Sequence, residues 1–185
     1  MRRRATVIAC MTVAAAFGRS PVDNPRTVTV CMTGQPTFEF TAAKSVASSL
    51  FARIGVTLEW RGLSHCPPAA IVITLSEDTP RTLHPAALAY ALPFEGVHIV
   101  IFLDRVRRTV EESRVGLLLG HVVVHEVTHI LQGVSRHSPT GVMKEKWGDA
   151  DYYQMSPKGL RFTADDIELI YSGMKSGSPA PGADR

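Results

Sequence analysis

The chain has 185 residues, 45% of them hydrophobic and 20% charged, with a formal net charge of only +3. That balance suits one ordinary globular domain with enough apolar mass for a core. Part of the positive charge is Arg2, Arg3 and Arg4, and no RNA- or DNA-binding signature occurs, which argues against nucleic acid as a partner.

Residues 1–18 read as a secretory signal peptide. Three arginines precede the apolar stretch Ala5–Phe17, which ends in the small residues Ala14, Ala15, Ala16 and Gly18. The stretch is short for a transmembrane helix, which needs about 20 apolar residues, although an uncleaved anchor is the alternative. Removal of the leader takes Cys10 with it and leaves Cys31 and Cys66, an even pair that in an exported chain reads as one disulfide.

After a polar lead-in, Thr27–Thr33 alternates as a strand does, and Gly34-Gln35-Pro36 breaks it. Helical spacing of Val46, Leu50, Phe51 and Ile54 predicts a helix over Phe40–Ile54, with Gly55 in the C-cap region. Strands are predicted at Val56–Trp60 and Ala70–Leu75. Leu88–Leu92 and Val97–Leu103 flank Pro93–Gly96 as a hairpin, and Asp104 is placed to cap a helix running to about Ser113. Val115–Gln132 is apolar nearly all round, so as a helix it must be buried. The β-branched run Val122-Val123-Val124 favours a strand, yet His121, His125 and His129 recur every four residues, as one helix face requires. Thr163-Ala164-Asp165-Asp166 has the form of a capping box ahead of Ile167, Ile170 and Met174, and residues 176–185 have the composition of a disordered tail. The predicted class is α+β: a twisted mixed sheet with packed helices, an active-site helix and a short C-terminal subdomain, spanning 19–175.

The chemistry concentrates in His125-Glu126-Val127-Thr128-His129. Two imidazoles at i and i+4 stand one above the other on a helix and can bind one zinc ion. Glu126 is placed to act as general base on a water that the metal has made acidic. Gly133 suits a left-handed turn that ends the helix and redirects the chain. His137 can then swing back as a third protein ligand; the competing third ligands are Glu145, Glu168, Asp149 and Asp151. His121 reads as a hydrogen-bonded core histidine, because three residues four apart on a straight helix cannot all reach one ion. Trp147 reads as a core aromatic closing the lower half of a cleft, and Tyr152 and Tyr153 as packing residues, with oxyanion stabilisation the rival role.

His125–His137, followed by Ser138 and Val142-Met143, resembles the metzincin metallopeptidases, in particular their matrix-metalloproteinase and archaemetzincin branches and a group of small bacterial zinc peptidases. The resemblance covers His121–Trp147. It implies a zincin-like fold, three histidine ligands to zinc, Glu126 as catalytic base and a Met-turn at Met143. This chain departs from the family pattern: HExxHxxGxxH becomes HExxHxxxGxxxH, one residue longer on each side of Gly133, so the loop must close differently. The expectation is an exported zinc peptidase, periplasmic or secreted, acting on protein or peptide substrates, with no stable membrane domain once the leader is gone. The rival is a non-catalytic zinc-binding module; Glu126 weighs against it, since a structural site needs four ligands and no base.

Overall fold

The computed structural model describes residues 26–33, 37–80, 82–84, 87–91 and 97–176. The expected leader, the break at residues 34–36, the turn at residues 93–96 and all of the expected tail but Ser176 lie outside them. In chain order the elements are β1 (Arg26–Thr33), α1 (Phe38–Ala52), β2 (Val56–Gly62), β3 (Ile71–Ser76), β4 (Ala89–Ala91), β5 (His98–Phe102), α2 (Leu103–Thr109), α3 (Val115–Gln132), α4 (Asp149–Lys158) and α5 (Ala164–Ser176).

The strands form one sheet in the order β2-β1-β3-β5-β4. β1 pairs parallel with β2 and with β3, and β3 parallel with β5; β4 runs antiparallel to β5 as the outer strand. The mixed sheet and the hairpin-like β4–β5 pair agree with the sequence reading. Val30, Ile73, Ile99 and Ile101 are wholly buried, as expected of parallel strands covered on their faces. Each such side chain contributes roughly 1.5–3 kcal/mol through burial.

Helix α1 starts at Phe38, two residues earlier than the apolar spacing suggests, because Thr37 caps it, its hydroxyl oxygen accepting the Phe40 N–H at 3.3 Å, and it ends at Ala52 rather than Ile54. α1 and α3 pack against each other, α1 over β2 and α3 over β4 and β5. Gly116 and Gly120 make the crossing close: a Cβ on either would lie 2.7 Å from Ala42 Cβ or 2.6 Å from Val46 Cβ. α3 has the length and apolarity of a membrane span, but 67% of its apolar window is buried inside the domain. The β-branched run at Val122–Val124 is therefore helical because both its length and its surroundings are those of a core helix.

Two expectations need correction. Asp104 does not cap α2; it lies inside the first turn and accepts hydrogen bonds from Thr79 Oγ1 at 2.6 Å and Arg108 at 2.5 Å. That helix stops at Thr109, where Val110 turns extended. Between Trp147 and Thr163 an additional helix, α4, is present; its residues are too polar to show an apolar period.

Candidate metal centre

Helix α3 presents His121, His125 and His129 on successive turns, and its packing separates their roles. His121 is fully buried. Its Nδ1–H donates to the Leu117 carbonyl at 2.8 Å, and its Nε2 accepts the Leu160 N–H at 3.1 Å. Both nitrogens are committed, so His121 ties α3 to the segment before α5, in agreement with its reading as a core histidine. Burial, reinforced by the Arg53 charge, lowers its pKa against the opposing pull of the Leu117 carbonyl.

One turn on, His125 donates from Nδ1 to the Val142 carbonyl at 2.9 Å. His129 Nδ1 likewise meets the Val134 carbonyl at 3.3 Å. With both Nδ1 atoms occupied, the two Nε2 lone pairs face each other across 3.1 Å. The loop that supplies both carbonyls begins at Gly133, in the left-handed region at φ 66°, whose N–H bonds back to His129 and Ile130 carbonyls. His137 comes back to this point despite the lengthened spacing, its ring centroid 5.2 Å from His125 and 5.0 Å from His129.

The loop is anchored from below. Ser138 donates its backbone N–H to the Met143 carbonyl at 2.7 Å and its hydroxyl to Asp166 at 2.6 Å. Arg136 reaches the same carboxylate at 3.2 Å. Met143 is wholly buried beside Val142.

The donor set suits a metal ion. One ligand atom from each of His125, His129 and His137 lies within 4.8 Å of the other two. A tetrahedral ion with about 2.0–2.1 Å bonds to nitrogen holds its ligands about 3.3 Å apart, close to the separation of the first two. The His125 and His129 imidazoles are shifted towards the neutral form that ligands need. Burial, then the neighbouring His129, drives the His125 pKa down to about 4, against the pull of the Val142 carbonyl. Burial lowers that of His129 as well. Glu126, partly buried on the same helix, has its pKa pushed up to about 7 by burial, the property of a carboxyl able to accept and return a proton near neutrality.

The competing carboxylates lie elsewhere. Glu168 is exposed on α5, beside Tyr171 and Lys175. Asp151 accepts Lys144 Nζ at 2.6 Å and the Gly148 N–H at 2.9 Å, starting α4, and Asp149 is exposed in the same turn. Glu145 lines the cleft but is not among the three clustered ligands. The cleft is a cavity of about 390 Å³ next to His125, Glu126 and His137. Trp147 and Tyr152 line it, with Trp147 edge-on to His125 at 5.5 Å, whereas Tyr153 is 79% exposed and does not line the cleft.

Sequence reading missed two contributors, the Val134 and Val142 carbonyls and Asp166; the strand expected at Leu88–Leu92 as a substrate edge does supply Leu88 and Ala89 to the rim of the cleft. Carbonyls carry no residue-type signature. Asp166 carried one, but as the last residue of a capping box, a role it also fills by bonding the Thr163 N–H.

No protein-family model matches the chain, and no curated protein matches it in sequence. Solved structures do match. The crystal structure of archaemetzincin from Methanopyrus kandleri superposes with a TM-score of 0.58 at 12% sequence identity, over 84% of this chain and 98% of that one. At that identity the likeness is one of fold, and the fold is zincin-like.

Proposed function

We propose that the protein is a zinc-dependent peptidase, with His125, His129 and His137 holding the metal and Glu126 as general base. The observation that carries this reading is the convergence of three imidazoles next to a carboxyl whose pKa lies near neutrality. The shared fold with archaemetzincin supports it. Zinc at such a site supplies Lewis-acid polarisation of a carbonyl and a water acidic enough to attack near neutral pH. Glu126 takes the proton from the attacking water as the new C–O bond forms, and delivers it to the departing amine as the C–N bond breaks. The Val142 and Val134 carbonyls hold His125 and His129 in the tautomer that leaves Nε2 free. β4, the outer strand of the sheet among the described residues, lies next to the cleft, and its edge away from β5 suits an extended peptide. The Met143 turn supports the loop from beneath. Export of the protein through the leader at residues 1–18 belongs to the same proposal and is supported by the Cys31–Cys66 disulfide.

Glu126→Gln tests the catalytic role. The amide keeps shape and cannot accept a proton, so zinc content and melting temperature are expected to stay at wild-type levels. Turnover of a peptide mixture is expected to fall about 10²–10⁴-fold. A variant that holds zinc and cleaves at the wild-type rate removes Glu126 from the mechanism. A zinc-loaded wild type that cleaves nothing in a broad panel favours the non-catalytic module instead.

A further inference from the structure

We infer that one end of the domain is a docking surface for an anionic membrane, formed by five basic side chains that the fold gathers there and leaves without carboxylate partners. Many cations elsewhere are taken up. Arg61 pairs with Glu59, Arg107 with Glu39 and Glu77, Arg108 with Asp104, Arg136 with Asp165 and Asp166, and Lys144 with Asp151. Among the described residues, no carboxylate pairs with Arg26, Arg53, Lys158, Arg161 or Lys175. These five come from distant parts of the chain, and a run of contacts brings them together. Arg53, just after α1, donates to the Lys158 carbonyl and borders a groove of about 430 Å³ with Lys158 and Arg161. Arg26 lies over the Tyr171 ring at 4.0 Å, and the Tyr171 hydroxyl donates to the Ile54 carbonyl beside Arg53. Tyr171 lines a second groove with Lys175 and with Ile167, which also walls the first. Glu168 is the one carboxylate lining either groove.

Three further features point to lipid as the anion. Aromatic side chains stand among the cations: Phe162 lies in the first groove, and Tyr153, 79% exposed, lies across a neighbouring groove from Lys158 and Arg161. Tyr with Lys and Arg suits a membrane–water interface, where the ring sits at headgroup depth and the cations meet lipid phosphate. An acidic polymer would use the cations and leave the exposed ring unused. The chain also enters the domain at this end, since Arg26 opens β1 eight residues after Gly18, the last residue of the proposed leader. Eight extended residues span at most about 28 Å, so a domain still held by its leader in a bilayer has this end close to lipid. That argument rests on the export reading and needs nothing of the peptidase one. Finally, none of the five cations lines the cleft beside His125, so seating this end on lipid does not occupy the cleft. Each basic side chain close to an anionic bilayer strengthens binding about fivefold, and five acting together raise it by about three orders of magnitude.

The zinc-loaded protein in its exported form would be sedimented with vesicles of phosphatidylcholine alone or mixed equally with phosphatidylglycerol. Binding is expected on the mixed vesicles, weak on phosphatidylcholine, and weakened about tenfold or more between about 0.1 M and about 0.5 M salt. Lys158→Gln, Arg161→Gln and Lys175→Gln together remove three exposed cations and spare Arg26 and Arg53, which bond to neighbouring elements. This triple variant is expected to bind about 100-fold more weakly, with melting temperature, zinc content and peptide turnover unchanged. Lys44→Gln, Arg61→Gln and Arg108→Gln remove the same charge elsewhere and are expected to leave binding within a few-fold of wild type. Should the first triple variant fail to fold, Lys175→Glu alone is expected to weaken binding about tenfold or more. Equal binding to both vesicle types, equal loss in the two triple variants, wild-type binding by the first, or no binding to the mixed vesicles each overturns the docking surface. Release from the mixed vesicles by polyglutamate or duplex DNA at equal charge overturns it too, in favour of an acidic polymer. Vesicle binding by a protein that cleaves no peptide keeps the surface and removes the peptidase reading; cleavage without vesicle binding does the reverse.

Discussion

Asp166 is fully buried and carries more of the site than its place in a capping box suggests. Burial alone would raise its pKa; bonds from the Ser138 hydroxyl, the Thr163 N–H and hydroxyl, and the Arg136 charge outweigh it and hold the carboxyl below its ordinary range. A carboxylate with a depressed folded pKa stabilises the fold above the unfolded value near pH 4, and that stability is lost as pH falls through the folded pKa. Its partners, Arg136 and Ser138, flank His137, so one residue sets both the start of α5 and the position of a candidate ligand. Asp166→Asn is expected to cost about 1.5–3 kcal/mol, read from denaturant unfolding of the metal-free protein. Zinc affinity, read by chelator competition, is expected to fall by about 10–100-fold. Lower stability with unchanged affinity would confine Asp166 to capping.

Among the elements, α2 acts on the cleft without touching it. Arg105 donates to the His84 carbonyl at 2.5 Å, the Ala87 carbonyl at 2.7 Å and the Leu83 carbonyl at 3.5 Å, while its guanidinium lies over the Phe102 ring. These bonds fix the segment that leads into β4, the proposed substrate edge. Arg105→Ala is therefore expected to raise KM by about tenfold with kcat and zinc content little changed, as loss of binding shared by substrate and transition state requires. A fall in kcat at constant KM would mean that the rim acts on the chemistry itself. The elements also show what local pattern can carry. α3 runs Val115–Gln132, as its apolar length and histidine spacing indicate. α4 left no such trace: in DADYYQMSPK only Met155 is buried among the described side chains, and the acidic first turn behind Gly148 was its one signal.

At the scale of the whole molecule, the Cys31–Cys66 disulfide joins β1 to the connection after β2, with Cα atoms 5.8 Å apart and 35 residues of separation. Cross-linking a loop of that length restricts the unfolded chain, so replacing both cysteines by alanine is expected to lower unfolding free energy by about 2–4 kcal/mol. Denaturant unfolding of the two proteins without reductant checks it; equal midpoints would show that the bond constrains nothing.

The sequence by itself determined the apolar helix, the His125-Glu126-His129 unit on it, the cysteine pair and most of the strands, because each follows from the spacing of residue types along a local segment. Only the tertiary structure decided the rest. The sheet order, which places β4 outermost, depends on pairings between segments far apart in the chain. His137 joins the other two imidazoles in place of Glu145, Glu168, Asp149 or Asp151 because Gly133 turns the loop and Asp166, 29 residues further on, holds it through Ser138. The orientation of His125 and His129 comes from backbone carbonyls, which every residue possesses and no sequence pattern distinguishes.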